Sequence, residues 1–573
     1  MANLSRFLPS LRWGRAYTRD DLRGDLQGGL TTAVMLIPQG MAYAMLAGLP
    51  PIIGLYGSLV PLIIYALLGT SRQLAVGPVA MVSLLVAGGV GGLVEAGTDS
   101  YVAYAVMLMV MAGGIQLLMG VGRLGFLVNF LSHPVLSGFT SAAALIIGLS
   151  QLKHLLGVDI PRSHHVHEIV RNAAEQAGSV NGITLAIGAL SVAVLVLLKR
   201  ISPRFPRALA VVVGSTVAVW GLGLHEQGVG IVGSVPAGLP TMSVPSLEPG
   251  AMRRLLPTAL TIALVGFMES IAVARAFARR HKVEVDANQE LIALGSANLG
   301  GALFGGYPVT GGFSRTAVND EAGARTPAAA IATAAVVALT LLFLTPLFHF
   351  LPKAALAAII MTAVFGLIDI AEISHLWRVD RTDLVLLAIT FLATLGFGIE
   401  QGIVAGVGAS MLWFFVRSTR PHFAVLGRVG EAGVWRNLER DPDAVPVQGV
   451  LVVRMDAQFF YGNVSFLKEM LRRLESEISG HAGGPLRAVV VDASAMNQLD
   501  SSAAGALEEL VEGYAARSVR FYLAGVKGPV MDTLRRAHLV ALIGEDRLPL
   551  RVEHAVQHAL GEHVPPHPLL RAS

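Results

Sequence analysis

The sequence predicts an all-α polytopic membrane domain of fourteen transmembrane segments, arranged as 7+7 inverted repeats, followed by an α/β domain. Three observations carry this. The chain is 53% hydrophobic and 14% charged, with a mean hydropathy of +0.62, whereas soluble proteins carry about 25% charge, so most of it belongs in lipid. About fourteen apolar segments precede residue 420, gauged against the ~20 residues that a spanning helix needs. Beyond Arg420, short apolar strands alternate with amphipathic helices, the pattern of an α/β layer.

In chain order, residues 1–24 are polar and basic. They show no apolar signal core or small-residue cleavage site, and read as a mature cytoplasmic N-terminal segment. The transmembrane region, 25–420, holds segments at approximately 27–48, 51–69, 78–91, 101–120, 126–150, 182–199, 207–223, 255–275, 287–304, 314–323, 327–349, 354–369, 382–398 and 401–417. The third and tenth are too short to cross alone. Connections 91–100, 304–313 and 398–401 contain no Lys or Arg, while the opposite side carries Arg72, Arg123, Lys199, Arg200, Arg204, Arg207, Arg275, Arg279, Arg280, Lys282, Arg325, Arg378 and Arg381. The positive-inside rule then places both termini in the cytoplasm, and the expected location is the inner (plasma) membrane.

Seven is odd, so a tandem repeat of seven segments inserts upside down; the halves run from about 25 to 223 and from 254 to 420. Each half places its short, broken segment third: "QLAVGPVAMVSLL" (73–85) and "GGYPVTGGFSRTAVN" (305–319). Interrupted segments at matching positions mark the binding site of a transporter. Pro308, Gly311 and Gly312 resist helix, and irregular backbone at membrane depth must be buried or line a water-filled cavity. A short helix is expected to start at Ser314 as N-cap, and a second at Val79, Ala80 and Met81 after Gly77–Pro78. Two facing helix N-termini plus Arg315 make an anion site; the alternative is a pair of plain kinks with Arg315 reaching for the interface.

Other chemistry is thin. With no cysteine, disulfides and thiolate metal sites are excluded. A net charge of +4 in scattered clusters gives nucleic-acid binding no support. His133 and Ser137 lack the third member of a hydrolytic set, and the histidines of 154–167 lack the ligands to complete a metal site. Neither a cofactor nor an enzymatic activity is expected.

"PPIIGLYGSLVPLIIYALLGTSRQLAVGP" (50–78), "SHPVLSGFTSAAA" (132–144) and "VDANQELIALGSANLGGALFGGYPVTGGFSRTAVN" (285–319) closely resemble the signatures of the sulfate permease (SulP) anion transporters, whose animal members include prestin and the sulfate, chloride and bicarbonate exchangers. The resemblance covers nearly the whole chain, in order. It implies core and gate domains working by alternating access, a C-terminal STAS domain, and often a homodimer. Carried over by motif, it implies a substrate site of Gln39 and Tyr43 ("IPQGMAYAM"), Val79, Ala80 and Met81 ("GPVAM"), and Phe313, Ser314 and Arg315 ("GGFSR"). Val79 stands where vertebrate members commonly have phenylalanine, and Tyr307, Pro308 and Thr310 also depart from that branch.

Glu269 lies in a long apolar helix, where a charged carboxylate costs roughly 2.5–3.5 kcal/mol unless it faces a cavity or is protonated. It is expected to bind a proton beside the anion; a static pairing with Arg315 or an interhelical hydrogen bond is the alternative. Gln39 has a similar choice between donating to an anion and bonding a neighbouring helix. Glu290 and Asn288 read as structural. These features imply a secondary anion transporter, by proton symport of a small dicarboxylate (fumarate-like) or sulfate. Alternatives are bicarbonate transport, exchange, an uncoupled channel, or an anion sensor signalling to a cytoplasmic partner through STAS.

After a polar connector (421–447), the α/β domain spans 448–562 and a tail 563–573. "NQLDSSAAGALEEL" places Asp500 as a helix cap, with Ser502 where a related "DSS" is phosphorylated in anti-sigma antagonists; capping alone also accounts for the motif.

Overall fold

The computed structural model describes residues 9–126, 132–160, 166–201, 206–430, 433–480 and 485–561. Two units emerge, Met1–Ser410 and Met411–Ser573.

Each expected membrane segment has a helical counterpart: α1 Arg19–Leu46, α2 Pro51–Leu68, α3 Ala80–Gly91, α4 Asp99–Val121, α5 His133–Ser150, α6 Gly182–Ile201, α7 Arg207–Gly221, α8 Pro249–His281, α9 Ala287–Ala302, α10 Phe313–Glu321, α11 Ala328–Phe348, α12 Lys353–Val364, α13 Arg381–Phe397 and α14 Ile399–Thr419. Among the described residues, eight helices are individually long and apolar enough to span a membrane. Helix α1 starts well before its apolar run because Thr18 and Asp21 form a capping box, with the Asp21 N–H bonded to Thr18 Oγ1 at 3.2 Å and the Thr18 N–H to Asp21 Oδ2 at 3.0 Å. Helix α2 is broken at Gly57–Leu59, just before Pro61, and α11 ends in π and 3₁₀ turns around Pro346. A further amphipathic helix, Ile370–Val379, was expected as a connection; Asp369 caps it, accepting from the Glu372 N–H at 3.0 Å.

Many of the helix contacts come in couples related by a shift of seven. Helix α1 packs on α11 and α8 on α4; α2 on α11 and α9 on α4; α5 on α13 and α12 on α6. Advancing or retreating seven helices converts one member of each couple into the other. Such pairing is what two repeats of opposite orientation produce. Between the third helices of the halves, β1 (Val76–Gly77) and β2 (Thr310–Gly311) form a two-stranded antiparallel sheet.

The second unit holds a five-stranded sheet: β3 Phe423–Val429, β4 Val434–Asn437, β5 Val450–Met455, β6 Ala488–Asp492 and β7 Arg520–Ala524, in the order β4-β3-β5-β6-β7. Strands β5, β6 and β7 are parallel; β3 runs antiparallel to both neighbours. Leu451, Val453, Val489 and Val491 face the helices α15 Val464–Gly480, α16 Ser501–Ala516, α17 Gly528–Arg536 and α18 Leu539–Ile543. Val450, Val452 and Val490 face α19, Val552–Leu560. The expected connector 421–447 is therefore corrected: it supplies β3 and β4. Only Ala424, Leu426 and Gly427 of β3 are buried, and β4 is an edge strand with a half-exposed alternation, so neither has the continuous apolar run that marks a central strand. Ser502 lies exposed in the first turn of α16, where Asp500 caps the Ala503 N–H at 2.8 Å.

Candidate anion site

Val76 pairs with Gly311 and Gly77 with Thr310. Each strand runs straight into a short helix, α3 with N-cap Val79 and α10 with N-cap Gly312, and no side chain caps either. Two sets of first-turn N–H groups, with the positive ends of their dipoles, therefore converge on the strand pair. Polar pins hold it: the Gly312 N–H reaches the Ala75 carbonyl at 3.1 Å, Thr316 Oγ1 accepts from the Ala75 N–H at 3.0 Å, and Asn319 Nδ2 donates to the Gln73 carbonyl at 2.9 Å. Ser314 is not the N-cap. Gly312, in extended backbone (φ −106°, ψ 131°), ends the strand and Phe313 begins the helix; the strand pairing sets the boundary where cap preference pointed two residues later.

Arg315 is 1% exposed. Its Nη1 donates to the Pro78 carbonyl across the strand pair. Its Nε and Nη2 are buried without a protein acceptor among the described residues. Gly312 and Gly77 make the space: a Cβ would lie 2.9 Å and 3.4 Å, respectively, from Nη2. Tyr43, Glu269 and Tyr307 are close enough for charge interaction with this guanidinium, yet no salt bridge joins Glu269 to Arg315 among the described residues. Instead Glu269 Oε2 and Gln39 Oε1 are also buried without hydrogen-bond partners. Buried polar atoms are nearly always satisfied, so the unpartnered atoms of Arg315, Glu269 and Gln39 form a candidate ligand-binding set. The alternative of a static Glu269–Arg315 pair does not form.

Gln39 and Tyr43 occupy successive turns of α1, 4% and 5% exposed. Val79, Ala80 and Met81 are buried at the start of α3, in the same apolar cluster as Tyr43 and Tyr307. Phe313 and Ser314 are exposed, the Phe313 ring resting against Phe277 at 6.0 Å. Glu290 is saturated: it accepts from the Thr70 N–H and Oγ1 at 2.6 Å each, Tyr65 OH at 2.7 Å and the Ser71 N–H at 3.1 Å. His133 bonds Glu372 at 3.1 Å rather than Ser137. His164 and His165 lie outside the described residues.

Sequence reasoning passed over a ring of hydroxyls and amides behind the cradle. Tyr307 OH lies 2.9 Å from Ser83 Oγ, whose proton goes to the Val79 carbonyl at 2.7 Å, so Tyr307 is the donor. Asn298 clamps both the N–H and the carbonyl of Val309 at 2.9 and 3.1 Å, and also donates to Gln116. The only hint in the chain was the polar character of these residues within apolar helices.

A cavity of about 970 Å³ is lined by Gln27, Met35 and Gln39 of α1, by Lys199, Arg200 and Arg207, and by Glu321 on α10. Three cations against one carboxylate favour anions there.

Opposed broken helices, paired helix bundles and a buried arginine with unspent donors define an inverted-repeat membrane transporter. Residues 22–390 match the sulfate permease family and residues 441–558 the STAS domain. The chain belongs to the sulfate permease family; it is a multi-pass membrane transporter, not an enzyme. Sulfate transporter 4.1, chloroplastic, of Arabidopsis thaliana is 40% identical over 572 residues, covering 97% of this chain and 83% of its own. Probable sulfate transporter Rv1739c of Mycobacterium tuberculosis is 37% identical over 543 residues, 95% of this chain and 96% of its own. Murine Slc26a9, an anion transporter solved in the inward-facing state, superposes with a TM-score of 0.89 at 26% identity, covering 98% and 95% of the two chains. The transmembrane domain of the cyanobacterial bicarbonate transporter BicA shares the fold, with a TM-score of 0.60 at 24% identity over 69% of this chain and 98% of that one.

Proposed function

We propose that the protein carries sulfate inward together with a proton by alternating access, with Arg315 and the two helix N-termini holding the anion and Glu269 the proton. One observation carries this reading: Arg315 and Glu269 lie within charge-interaction range, each with a buried polar atom that has no hydrogen-bond partner, and no salt bridge joins them among the described residues. An anion satisfies the first and a proton the second. Neither occupant is favourable alone at that depth, which is the physical origin of coupling.

Sulfate is preferred to a dicarboxylate because one guanidinium and two converging helix ends form a single compact positive focus, which suits a compact tetrahedral dianion. The relatives matched over nearly the whole chain are also named as sulfate transporters. By the charge pattern of the connections, both termini face the cytoplasm and the large cavity is the cytoplasmic vestibule of an inward-facing state.

The test is uptake of radiolabelled sulfate, fumarate and bicarbonate by the purified protein in proteoliposomes, with and without an imposed proton gradient. Gradient-driven sulfate accumulation is the expected result. Binding without accumulation of any of the three would favour a sensor. Replacing Lys199, Arg200 and Arg207 with glutamine lowers the rate of sulfate entry from the vestibule side by roughly ten-fold at low salt, less at high salt, as loss of electrostatic focusing requires; stopped-flow uptake in oriented vesicles at two ionic strengths checks it.

A further inference from the structure

Behind the cradle, three hydrogen bonds join β2 to α8, and every proton in them has one place to go. Thr310 Oγ1 donates to the Gly266 carbonyl at 2.5 Å. Its proton being spent, the 2.6 Å contact between Ser270 Oγ and Thr310 Oγ1 is donated by Ser270. Ser270 Oγ in turn accepts from the Gly311 N–H at 2.8 Å. Thr310 and Ser270 are both fully buried, so water cannot substitute for a lost member. Gly266 permits the approach: a Cβ there would lie 3.3 Å from Thr310 Oγ1.

Position gives this clasp its meaning. Gly266 and Ser270 are one turn apart on α8, and Glu269 immediately precedes Ser270, about 100° round the helix. On the other side, Thr310 and Gly311 are the strand residues that pair with Gly77 and Val76 and lead, through Gly312, to Arg315. The clasp is thus the direct link between the backbone that presents Arg315 and the helix turn that presents Glu269. Glu269 and Arg315 do not touch, so nothing else on their own side chains sets the gap that the anion must span.

We infer that Thr310 and Ser270 are positioning residues that hold the Glu269 turn in register with the anion cradle, so that anion and proton occupancy depend on each other. Loosening the clasp lets the two sites drift apart, and their mutual stabilisation fades while each remains present. This rests on the proton-coupled reading of Glu269 above.

The experiment compares proton-gradient stimulation of labelled sulfate uptake with sulfate affinity at one fixed pH, in the full chain reconstituted in proteoliposomes. Thr310→Val and Ser270→Ala each break the clasp from one side. Both are expected to cut the stimulation roughly ten-fold, within the about 5- to 150-fold range of coupling between sites, and by more than they change affinity. The double variant is expected to be no worse than either single one, since both remove one unit, and Thr310→Ser, which keeps the hydroxyl, recovers stimulation. Wild-type stimulation in folded Thr310→Val or Ser270→Ala, while Glu269→Gln has lost it, overturns the clasp alone. Persistence of stimulation in Glu269→Gln overturns the proton reading, and this inference with it. Should Thr310→Val not fold, Ser270→Ala decides by the same comparison.

Discussion

Arg315→Ala abolishes saturable sulfate uptake, and Arg315→Lys restores little of it. The guanidinium presents two buried nitrogens, Nε and Nη2, that no group among the described residues satisfies, fixed in place by the Nη1 bond to the Pro78 carbonyl. Truncating one partner of a buried, hydrogen-bonded charge pair costs about 2–5 kcal/mol, which is roughly 30-fold to several thousand-fold in affinity. Lysine keeps the charge but lacks the planar fork that holds Pro78 with one nitrogen and the anion with the others. Gly312→Ala makes the same point with the arginine retained: the new methyl falls 2.9 Å from Nη2 and 3.0 Å from Cζ. The guanidinium must shift, and sulfate affinity falls with it. Equilibrium binding of labelled sulfate to the purified variants, alongside a thermal-stability control, measures both. Full affinity in Arg315→Ala would place the anion elsewhere.

The breaks that build this cradle were legible because their causes are local. Proline without a donor and glycines with high backbone entropy cannot continue a helix, whatever surrounds them, so Pro78, Pro308 and Gly311–Gly312 announced themselves. The full-length spans were legible because lipid imposes length and apolarity on any helix that crosses it. What lay beyond reading depends on partners distant in the chain. That Gly312 rather than Ser314 caps α10 follows from the pairing of β2 with β1, and that pairing joins residues from opposite halves. The clasp of Thr310, Ser270 and Gly266 is invisible for the same reason. Strand β3 was hidden differently: it lies beside the edge strand, broken by Gly427, and its short apolar alternation is weaker than the polarity around it. Phe313 and Ser314 were carried over by motif together with Arg315, yet consecutive residues on a helix point about 100° apart, and only Arg315 turns into the buried pocket.

Glu269→Gln uncouples transport without removing the anion site. Glutamine has nearly the shape of the carboxylic acid and carries no charge, so it fixes the position in the form the protonated carrier has, and the carrier can no longer release that proton. Each unit of proton gradient is worth ~1.4 kcal/mol per proton carried, about a ten-fold accumulation of substrate. In Glu269→Gln that factor vanishes: sulfate equilibrates to the ratio set by its own gradient and the membrane potential, at any imposed pH difference. Exchange of labelled for unlabelled sulfate, which needs no net proton movement, continues. A static role for Glu269 predicts the reverse, since a lost structural bond would slow exchange and net uptake together and leave the accumulation ratio responsive to pH. Steady-state accumulation measured at two pH gradients, beside exchange in the same vesicles, separates these outcomes. The charge argument favours the first: the Glu269 and Arg315 side chains interact by charge with no salt bridge between them among the described residues, and a carboxylate meant as a permanent counter-ion would close that gap rather than leave it for an anion to span.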